Sequence, residues 1–402
     1  MIGESNQKGS HYLEKINQKY RIQIVEDLDK FQKLETTWDG LLENQKYHIP
    51  FLCFDWFKVW LEHFLKDNKL FILVVYDGNR VAGIAPFIIR HEKFRRIIPT
   101  KKIELIGNFD SHIRNFILGN PSDGERSEIL SALFDYLRDQ HKNWDVIELE
   151  SMPEEDPTYN TLKSIIAEHA FKNKEFTCFG DWYLDGINYS GDEYIKRRSK
   201  NTRSGVGKKR RRIERLGHLE FQVGTEKEKL DYYLSLYQEV RGKSWKHPEL
   251  NRAFLNDARH MAAEKQCLKF GFLFFNNSPI ATLFTIISNG TAYLMEVVYD
   301  KQYEEFSPGE IIYAEFIKYL IDVDRITEID QLRGDEPYKK SWTPQRRERK
   351  GIQVFNSNFK GRFLSFLITK MLPIVEKNQH VLSVKKKLSG YLKKHGGSLT
   401  SD

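Results

Sequence analysis

The chain has 402 residues, of which 40% are hydrophobic and 13% aromatic, and its formal net charge is +7. This composition excludes a disordered chain, and the length predicts two or three packed domains. Three widely spaced cysteines and the lack of a long apolar run exclude a disulfide-stapled scaffold and a membrane-spanning protein, so we expect a cytoplasmic location.

The first half of the sequence predicts an alternation of strands and helices. Turn residues that tolerate positive φ, Asp77-Gly78-Asn79, separate two apolar runs and so predict a β-hairpin. In chain order we predict strand 21–25, helices 29–43 and 54–64, hairpin strands 71–76 and 81–89, strand 102–106, helix 125–140, strand 145–149, helix 159–171 and strand 175–184.

The second half repeats this order around a second hairpin turn, Asn276-Asn277-Ser278-Pro279. We predict strand 219–223, helices 227–241 and 251–265, hairpin strands 270–275 and 280–287, strand 291–298, helix 309–321, strand 327–331, a helix within 338–349 and strand 352–355. The repeat predicts an α/β fold with a mixed sheet that occurs twice. We expect domains at 1–190 and 219–370, a basic joint at 191–218 and a basic tail at 371–402.

The positive charge is concentrated in one segment. Residues 196–215 contain eleven Lys or Arg and one acid, so this segment carries +10 and the other 382 residues carry −3. The segment could contact a polyanion, or it could be a solvated helix face or a linker, and its lack of aromatic residues argues against base stacking. A second cluster, Lys385 to Lys387 with Lys393 and Lys394, could contact a membrane surface or form a frayed terminal helix.

Several motifs with known chemistry are absent from the sequence. There is no P-loop, no G-x-G-x-x-G after a strand, no G-x-S-x-G elbow and no H-E-x-x-H. The histidines lack metal-ligand spacing, and Cys267 has no nearby histidine. We therefore expect neither a metal site nor a covalent nucleophile.

Three segments carry candidate functional residues. Arg333, Asp335 and Lys339 crowd together after a predicted strand, where α/β sheets bind ligands, although such a cluster could also brace a turn. Ser307-Pro308-Gly309 begins a predicted helix, which suits either a phosphate site or an ordinary helix start. Glu296 lies among apolar strand residues, either as a general base or on a solvated face.

At these residues the sequence resembles the double-domain GNAT-like acyltransferases known as CelD-like, cellulose-biosynthesis-type acetyltransferases, which are related to FemAB aminoacyl transferases. The resemblance covers nearly the whole chain, and the first half matches more loosely. The matching residues are Glu214-Arg215-Leu216-Gly217 after a basic helix, Arg241 and Trp245, Tyr293, Tyr299 and Asp300, Ser307 to Gly309, and Asp330, Arg333, Gly334, Asp335, Glu336, Tyr338, Lys339 and Trp342.

The resemblance implies two tandem GNAT folds, of which the second is catalytic. It places the pyrophosphate of an acyl-CoA, such as acetyl-CoA, at Ser307, Pro308 and Gly309. This sequence departs from the GNAT pattern in having only Gly309 in that turn and in having Glu296 where glutamine is common.

The implied reaction is direct attack of an amine on the thioester, with no covalent enzyme intermediate. Asp335 or Glu296 would be the base, and Arg333 and Lys339 its electrostatic partners. Side chains that would wall the acceptor pocket are Trp245, Tyr338, Trp342 and Arg241. The resemblance suggests a small-molecule or glycan-precursor acceptor of the cell envelope.

Two rival functions remain open at this point. A FemAB-like enzyme would take its donor from aminoacyl-tRNA, and the basic segment would then contact tRNA. A catalytically silent scaffold built on duplicated GNAT folds would instead bind partners.

Overall fold

The computed structural model describes residues 19–43 and 49–377. Eight strands and five helices precede residue 190, together with 3-10 turns at Pro50–Leu52 and Leu65–Asp67. They are β1 Tyr20–Val25, α1 Leu28–Gln32, α2 Glu35–Glu43, α3 Phe54–Phe64, β2 Asn68–Leu70, β3 Ile72–Asp77, β4 Arg80–Ala85, β5 Phe87–Phe94, β6 Ile98–Leu105, α4 Asp123–Asp139, β7 Val146–Pro153, α5 Pro157–Glu168 and β8 Lys172–Leu184.

The later described residues form six strands and eight helices, with further 3-10 turns at Lys227–Lys229 and Lys301–Phe306 and a π-helical turn at Leu367–Met371. They are α6 Gly191–Lys196, α7 Lys200–Glu214, β9 Leu219–Gly224, α8 Leu230–Gly242, α9 Arg252–Glu264, β10 Leu268–Phe275, β11 Ser278–Ser288, β12 Thr291–Tyr299, α10 Pro308–Asp322, β13 Glu328–Arg333, α11 Pro337–Trp342, β14 Gln345–Phe355, α12 Phe359–Phe366 and α13 Leu372–Lys377. No helix in these ranges is both long enough and apolar enough to span a membrane.

Both predicted hairpins are confirmed. β3 and β4 pair from Asp77 with Arg80, and β10 and β11 pair from Phe275 with Ser278. The expected strand 81–89 is wrong in one respect, because it breaks at Pro86: β4 pairs with β3 in a three-stranded sheet, whereas β5 pairs with β6 in the main sheet. Proline lacks the N–H that a continuous ladder would need, so the chain changes sheets there.

The helix expected within 338–349 is also mostly wrong. α11 ends at Trp342, Thr343 has extended backbone angles, and β14 follows from Gln345. Arg347 and Arg349 look unfavourable for a buried strand, but both find carboxylate partners across the sheet. The expected helix 29–43 is likewise divided, into α1 and α2.

The main sheet has eleven strands in the order β2-β5-β6-β7-β14-β8-β13-β12-β11-β10-β9. β14, the last strand of the second half, lies between β7 and β8, and β8, the last strand of the first half, pairs with β13. Each half therefore completes the sheet of the other. The fold is mixed α/β, as predicted, and its two halves share one continuous sheet, while the domain boundaries given above stay a prediction.

Buried ion pairs connect the exchanged strands. Arg349 on β14 lies 2.5 Å from Asp181 on β8, and Arg347 lies 2.5 Å from Asp330 on β13. Both carboxylates are almost fully buried. Burial and the adjacent charge of Asp330 raise the pKa of Asp181. Because a buried charge without its partner is costly, these contacts fix the register of the exchange.

The two halves also share an apolar core. One cluster joins Phe51 and Trp56 of the first half to Phe254, Tyr293 and Leu332 of the second. The ring of Trp56 meets that of Phe254 edge-on at 5.5 Å. The ends of β12 and β13 are therefore held against the first half.

Candidate functional site

β12 and β13 separate in the middle of the sheet. They pair in parallel only from Thr291 with Glu328 to Tyr293 with Asp330, although β12 continues to Tyr299. The pairing ends after Tyr293, and β12 continues toward the start of α10 without β13 beside it; we call this unpaired stretch between the two strands the gap. Such a gap at the carboxyl ends of parallel strands is a common place for ligands in α/β sheets.

A β-bulge in β12 directs Glu296 to one face of the sheet. Opposite Phe284 and Thr285 the register shifts, so that Met295 is the extra residue. A bulge of this kind changes the alternation of side chains and is frequent beside active sites. After it, Glu296 and Val298 pack toward α8, whereas Tyr299 packs toward α10.

Glu296 is held by three side chains. Lys246 Nζ donates to its carboxylate at 3.0 Å and Arg241 Nε at 3.3 Å, and the hydroxyl of Tyr237 donates a further hydrogen bond. The Glu296 side chain remains 17% exposed, so solvent or a substrate can reach it. Arg241, predicted to line the acceptor pocket, is thus a direct partner of Glu296.

A second carboxylate extends this network into the interior. The Glu249 carboxylate lies 2.8 Å from the same Tyr237 hydroxyl and pairs with the buried Arg259, so Glu249 and Glu296 share the one proton of that hydroxyl. Burial and the charge of Glu296 raise the pKa of Tyr237 well above its usual value, so this phenol stays protonated. The sequence analysis missed Tyr237, Lys246, Glu249 and Arg259. The only available signal was that Tyr237 lies one helical turn before Arg241.

Tyr338 lies in α11, the helix that follows β13, and its ring meets that of Tyr313 edge-on at 6.2 Å. Burial raises the pKa of the Tyr338 phenol, and the charges of Glu336 and Glu296 raise it further. The side chain is nevertheless 42% exposed. Tyr338 therefore offers an accessible, protonated hydroxyl on the element that follows β13.

The predicted donor turn lies at the start of α10. Ser307 has a positive φ of 47°, and its side chain does not cap the helix. A Cβ atom added at Gly309 would lie 3.0 Å from the ring of Tyr299. Trp245 packs on the other side of Tyr299, with ring centroids 4.4 Å apart. Trp245, predicted for the acceptor pocket, thus lies close to the donor turn Ser307-Pro308-Gly309.

The basic segment forms α7, and one of its faces packs against α10. Lys209 pairs with Glu310 at 2.8 Å, and Arg210 and Arg212 pair with Glu315 and Glu305. Exposed basic residues on the remaining surface include Lys208, Arg211 and Arg215. Three of the eleven basic residues in the segment are therefore paired with acids of the later elements. The Lys385 to Lys394 cluster lies outside the described residues.

Asp335 joins the turn after β13 to the exchanged strands. Arg346 of β14 donates to it through two nitrogens, at 2.9 and 3.0 Å, and Trp182 of β8 donates at 3.1 Å. The hydrogen bond from Arg346 lowers the pKa of this carboxyl. A depressed pKa weakens a base, so the surroundings of Asp335 favour a binding or bracing role.

The other residues of the closing motif differ in exposure. Lys339 Nζ donates to the carbonyl of Arg333 at 2.6 Å and pairs with Glu336. Trp342 is buried against Tyr313, with ring centroids 5.0 Å apart. The Arg333 side chain instead lies between two phenyl rings, without an ion-pair partner among the residues described.

The corresponding gap in the first half is filled. β6 and β7 also pair in parallel over only three residues, from Lys102 with Val146. The following loop closes the opening: the Arg114 N–H donates to the carbonyl of Ser151 at 3.1 Å, and Ile117 forms a β-bridge with Ile84. The open gap of the second half has no equivalent at this place.

Two further observations bear on ligands. In the described part of the chain, no group of three or more His, Cys, Asp or Glu side chains is placed to hold a metal ion. A cavity of about 470 Å³, bordered by Cys53, Met261 and Cys267, lies at the opposite end of β12 from Tyr299. That cavity is therefore separate from the gap.

Comparison with known proteins identifies the class of the second half. Residues 200–340 match the family model described as an acetyltransferase (GNAT) domain, and this range contains α8, the gap and the start of α10. This part of the chain is therefore similar to GNAT acetyltransferase domains. None of the curated proteins matches the sequence significantly. The narrower likeness to CelD-like enzymes stays a prediction.

Solved structures share the fold over most of the chain. A conserved protein of unknown function from Bacteroides thetaiotaomicron VPI-5482 is 14% identical, with a TM-score of 0.50, and the match covers 83% of this chain and 99% of that one. FemX is 12% identical, with a TM-score of 0.56, and the match covers 80% of this chain and 96% of FemX. The similarity extends through both halves, so the two-part architecture is shared with these proteins.

Proposed function

We propose that this protein is a cytoplasmic N-acyltransferase of the GNAT type, which transfers an acyl group from acyl-CoA, such as acetyl-CoA, to a primary amine. The observation that carries the proposal is the separation of β12 and β13 after Tyr293, with Glu296 on β12 held by Lys246 and Arg241 and still partly exposed. The loop that fills the first-half gap supports a single catalytic centre, in the second half.

The start of α10 is the proposed site for the pyrophosphate. A helix N-terminus presents free N–H groups and a partial positive charge, and Gly309 adds no side chain there. Tyr299 and Trp245 border this turn and offer aromatic surface to the donor. Acyl-CoA supplies the activated thioester when bound.

The proposed chemistry needs one proton acceptor and one proton donor. Glu296 takes a proton from the amine nitrogen, directly or through water, as that nitrogen forms a bond to the acyl carbon. The carbon–sulfur bond breaks, and Tyr338, which stays protonated because its pKa is raised, can protonate the departing sulfur. Proton transfer of this kind contributes about 10²- to 10⁴-fold in rate.

Calorimetry of acetyl-CoA with the full chain tests this function. We expect saturable one-site binding in the range of about 1 μM to 1 mM, and release of free thiol when a suitable amine is added. A folded chain that binds no acyl-CoA would contradict the proposal and favour a binding scaffold.

A FemAB-like transferase using aminoacyl-tRNA is the second candidate. The exposed basic residues of α7, Lys208, Arg211 and Arg215, favour it, because they could contact a nucleic-acid backbone. Filter binding of tRNA across a salt series separates the candidates. Binding that weakens steeply with salt, together with no binding of acetyl-CoA, would favour the tRNA donor.

The acceptor is the least defined part of the proposal. A small amine or an amino-bearing glycan precursor fits the resemblance to envelope-building enzymes. Turnover with a panel of amines, measured as thiol release, would identify the class.

A further inference from the structure

Arg333 has a guanidinium group without an anionic partner. Its guanidinium carbon lies 3.9 Å from the ring centre of Phe179 and 4.5 Å from that of Phe109. Its Nε is buried and makes no hydrogen bond, and within residues 19–43 and 49–377 no carboxylate forms an ion pair with it. A buried N–H of a charged group that has no hydrogen-bond partner costs free energy, and a bound anion would compensate this cost at Arg333.

The same region contains further unpaired polar atoms, all from the loop between β6 and α4 in the first half. Asn108 Nδ2, His112 Nδ1 and Arg114 Nε are buried without a hydrogen-bond partner. More than 90% of buried polar groups in proteins are satisfied. Several such atoms beside one unpaired arginine therefore form an unusual concentration.

Contacts within the loop place these groups next to Arg333. Phe109, which covers Arg333, follows Asn108, and the carbonyl of Asn108 accepts a hydrogen bond from Arg114 Nη2 at 2.8 Å. Burial lowers the pKa of Arg333, and the positive charge of Arg114 lowers it further. Burial also lowers the pKa of His112 to about 3, so this ring is neutral at physiological pH.

The two acids nearest in this region, Glu150 and Asp110, have partners other than Arg333. Glu150 lies 3.6 Å from Arg114 Nη1, and Asp110 accepts a hydrogen bond from Asn251 at 2.9 Å. Burial raises the pKa of both Glu150 and Asp110, which reduces their tendency to carry charge. Neither acid forms an ion pair with Arg333.

The two phenyl rings also determine how Arg333 can bind. A guanidinium group that packs against aromatic rings keeps the N–H groups along its edge available for hydrogen bonds. Those groups form a planar fork that fits two oxygens of a carboxylate or phosphate. Arg333 ends β13 at the side of the gap, so a ligand held there lies beside the proposed reaction centre.

We propose that Arg333 binds an oxyanion, a carboxylate or phosphate, that is carried by the amine acceptor. The proposal rests on the proposed function in assigning the oxyanion to an acceptor. It also gives the first half a role in substrate choice, since Phe109 and Phe179, whose rings contact Arg333, belong to that half.

Matched pairs of amines test this subsite by calorimetry with the full chain and no donor. The pairs are ethanolamine with phosphoethanolamine, glucosamine with glucosamine 6-phosphate, and glycinamide with glycine. At least one anionic member should bind about tenfold to a hundredfold more tightly than its neutral partner. The first two pairs report on phosphate, and the third reports on carboxylate.

Substitutions assign this preference to the arginine. Arg333→Gln should reduce the preference to near one, and Arg333→Lys should retain part of it, because a lysine keeps the charge but loses the fork. Arg90→Gln is the matched control, since Arg90 is also partly buried but is paired with Glu104 at 2.6 Å. Circular dichroism of each variant checks that the fold is kept.

Equal binding of neutral and anionic amines, no binding of any anionic amine, or an unchanged preference in a folded Arg333→Gln protein would each overturn the subsite. Loss of acetyl-CoA binding is a separate outcome. A protein that prefers anionic amines but binds no acetyl-CoA would contradict the proposed function and leave the oxyanion site standing.

Discussion

Lys246 Nζ lies 3.0 Å from the carboxylate of Glu296. Glu296 belongs to β12, and the bulge in that strand turns its side chain toward α8. With Arg241 and Tyr237, Lys246 fixes the position of Glu296 beside the gap. Preorganised side chains of this kind need no rearrangement when a reaction begins. We prefer Glu296 to Asp335 as the base because Glu296 lies on β12 at the gap, whereas Asp335 is held on the other side of β13 by Arg346 and Trp182.

Glu296→Gln should reduce turnover with acetyl-CoA and an amine by about 10²- to 10⁴-fold, because the amide cannot accept the proton. The Kd of acetyl-CoA should hardly change, because the proposed pyrophosphate site is at Ser307 to Gly309 and does not include Glu296. Steady-state kinetics and calorimetry measure the two effects. Glu239→Gln, on an exposed ion pair of α8 with Lys243, is the control and should behave as the unmodified protein.

Gly309→Ala should weaken acetyl-CoA binding, because the new Cβ would lie 3.0 Å from Tyr299 and narrow the donor turn. We expect about a tenfold rise in Kd, which corresponds to about 1.4 kcal/mol. Gly124→Ala is the matched control: Gly124 is also the second residue of its helix, α4, and an added Cβ there meets nothing within 4 Å. Equal affinities of the two variants would place the pyrophosphate elsewhere.

Asp335→Asn should leave turnover within a few-fold of normal and reduce stability by about 0.2 to 1 kcal/mol, since the pair with Arg346 is half-exposed. Arg346 lowers the pKa of Asp335, so the stabilisation is present above the ordinary value of 3.8 and is lost as the pH falls through the lower, folded value. Urea unfolding at neutral and acid pH measures this. Abolished turnover in a folded Asp335→Asn protein would instead make Asp335 the base.

Arg349→Met should destabilise the protein by about 3 to 5 kcal/mol, because Asp181 would remain buried without its main partner. Arg346→Met, at the partly exposed position three residues earlier, should cost less than about 1 kcal/mol. Urea unfolding followed by tryptophan fluorescence and circular dichroism compares them. Two separate transitions in the unmodified protein would show that the exchanged strands do not couple the halves.

The order of elements could be predicted because its signals are local. Turn residues such as Gly78 and Asn276 and the periodicity of apolar residues marked both hairpins. The exchange of strands could not be predicted, because it depends on pairings such as Gln345 with Tyr183, far apart in the sequence. Nothing in either strand alone specifies its neighbour.

The candidate site was predicted as separate motifs and not as a set of contacts. Glu296 and Arg241 were both singled out, but their hydrogen bond depends on the packing of α8 on β12. The loop with Phe109 and Arg114 was missed, because its role arises only where the two halves meet. Partners contributed by another part of the chain leave no local pattern.

The exchange of β8 and β14 has a consequence for the history of the chain. Two separate copies of a single half could build the same sheet by exchanging their last strands, as in a domain-swapped dimer. Joining such copies in one chain would make the strand exchange intramolecular. One of the two gaps could then be closed by a loop of its own half, as the bridge between Ile117 and Ile84 closes the first. A duplicated gene would then have one copy for chemistry and another for selecting what is modified.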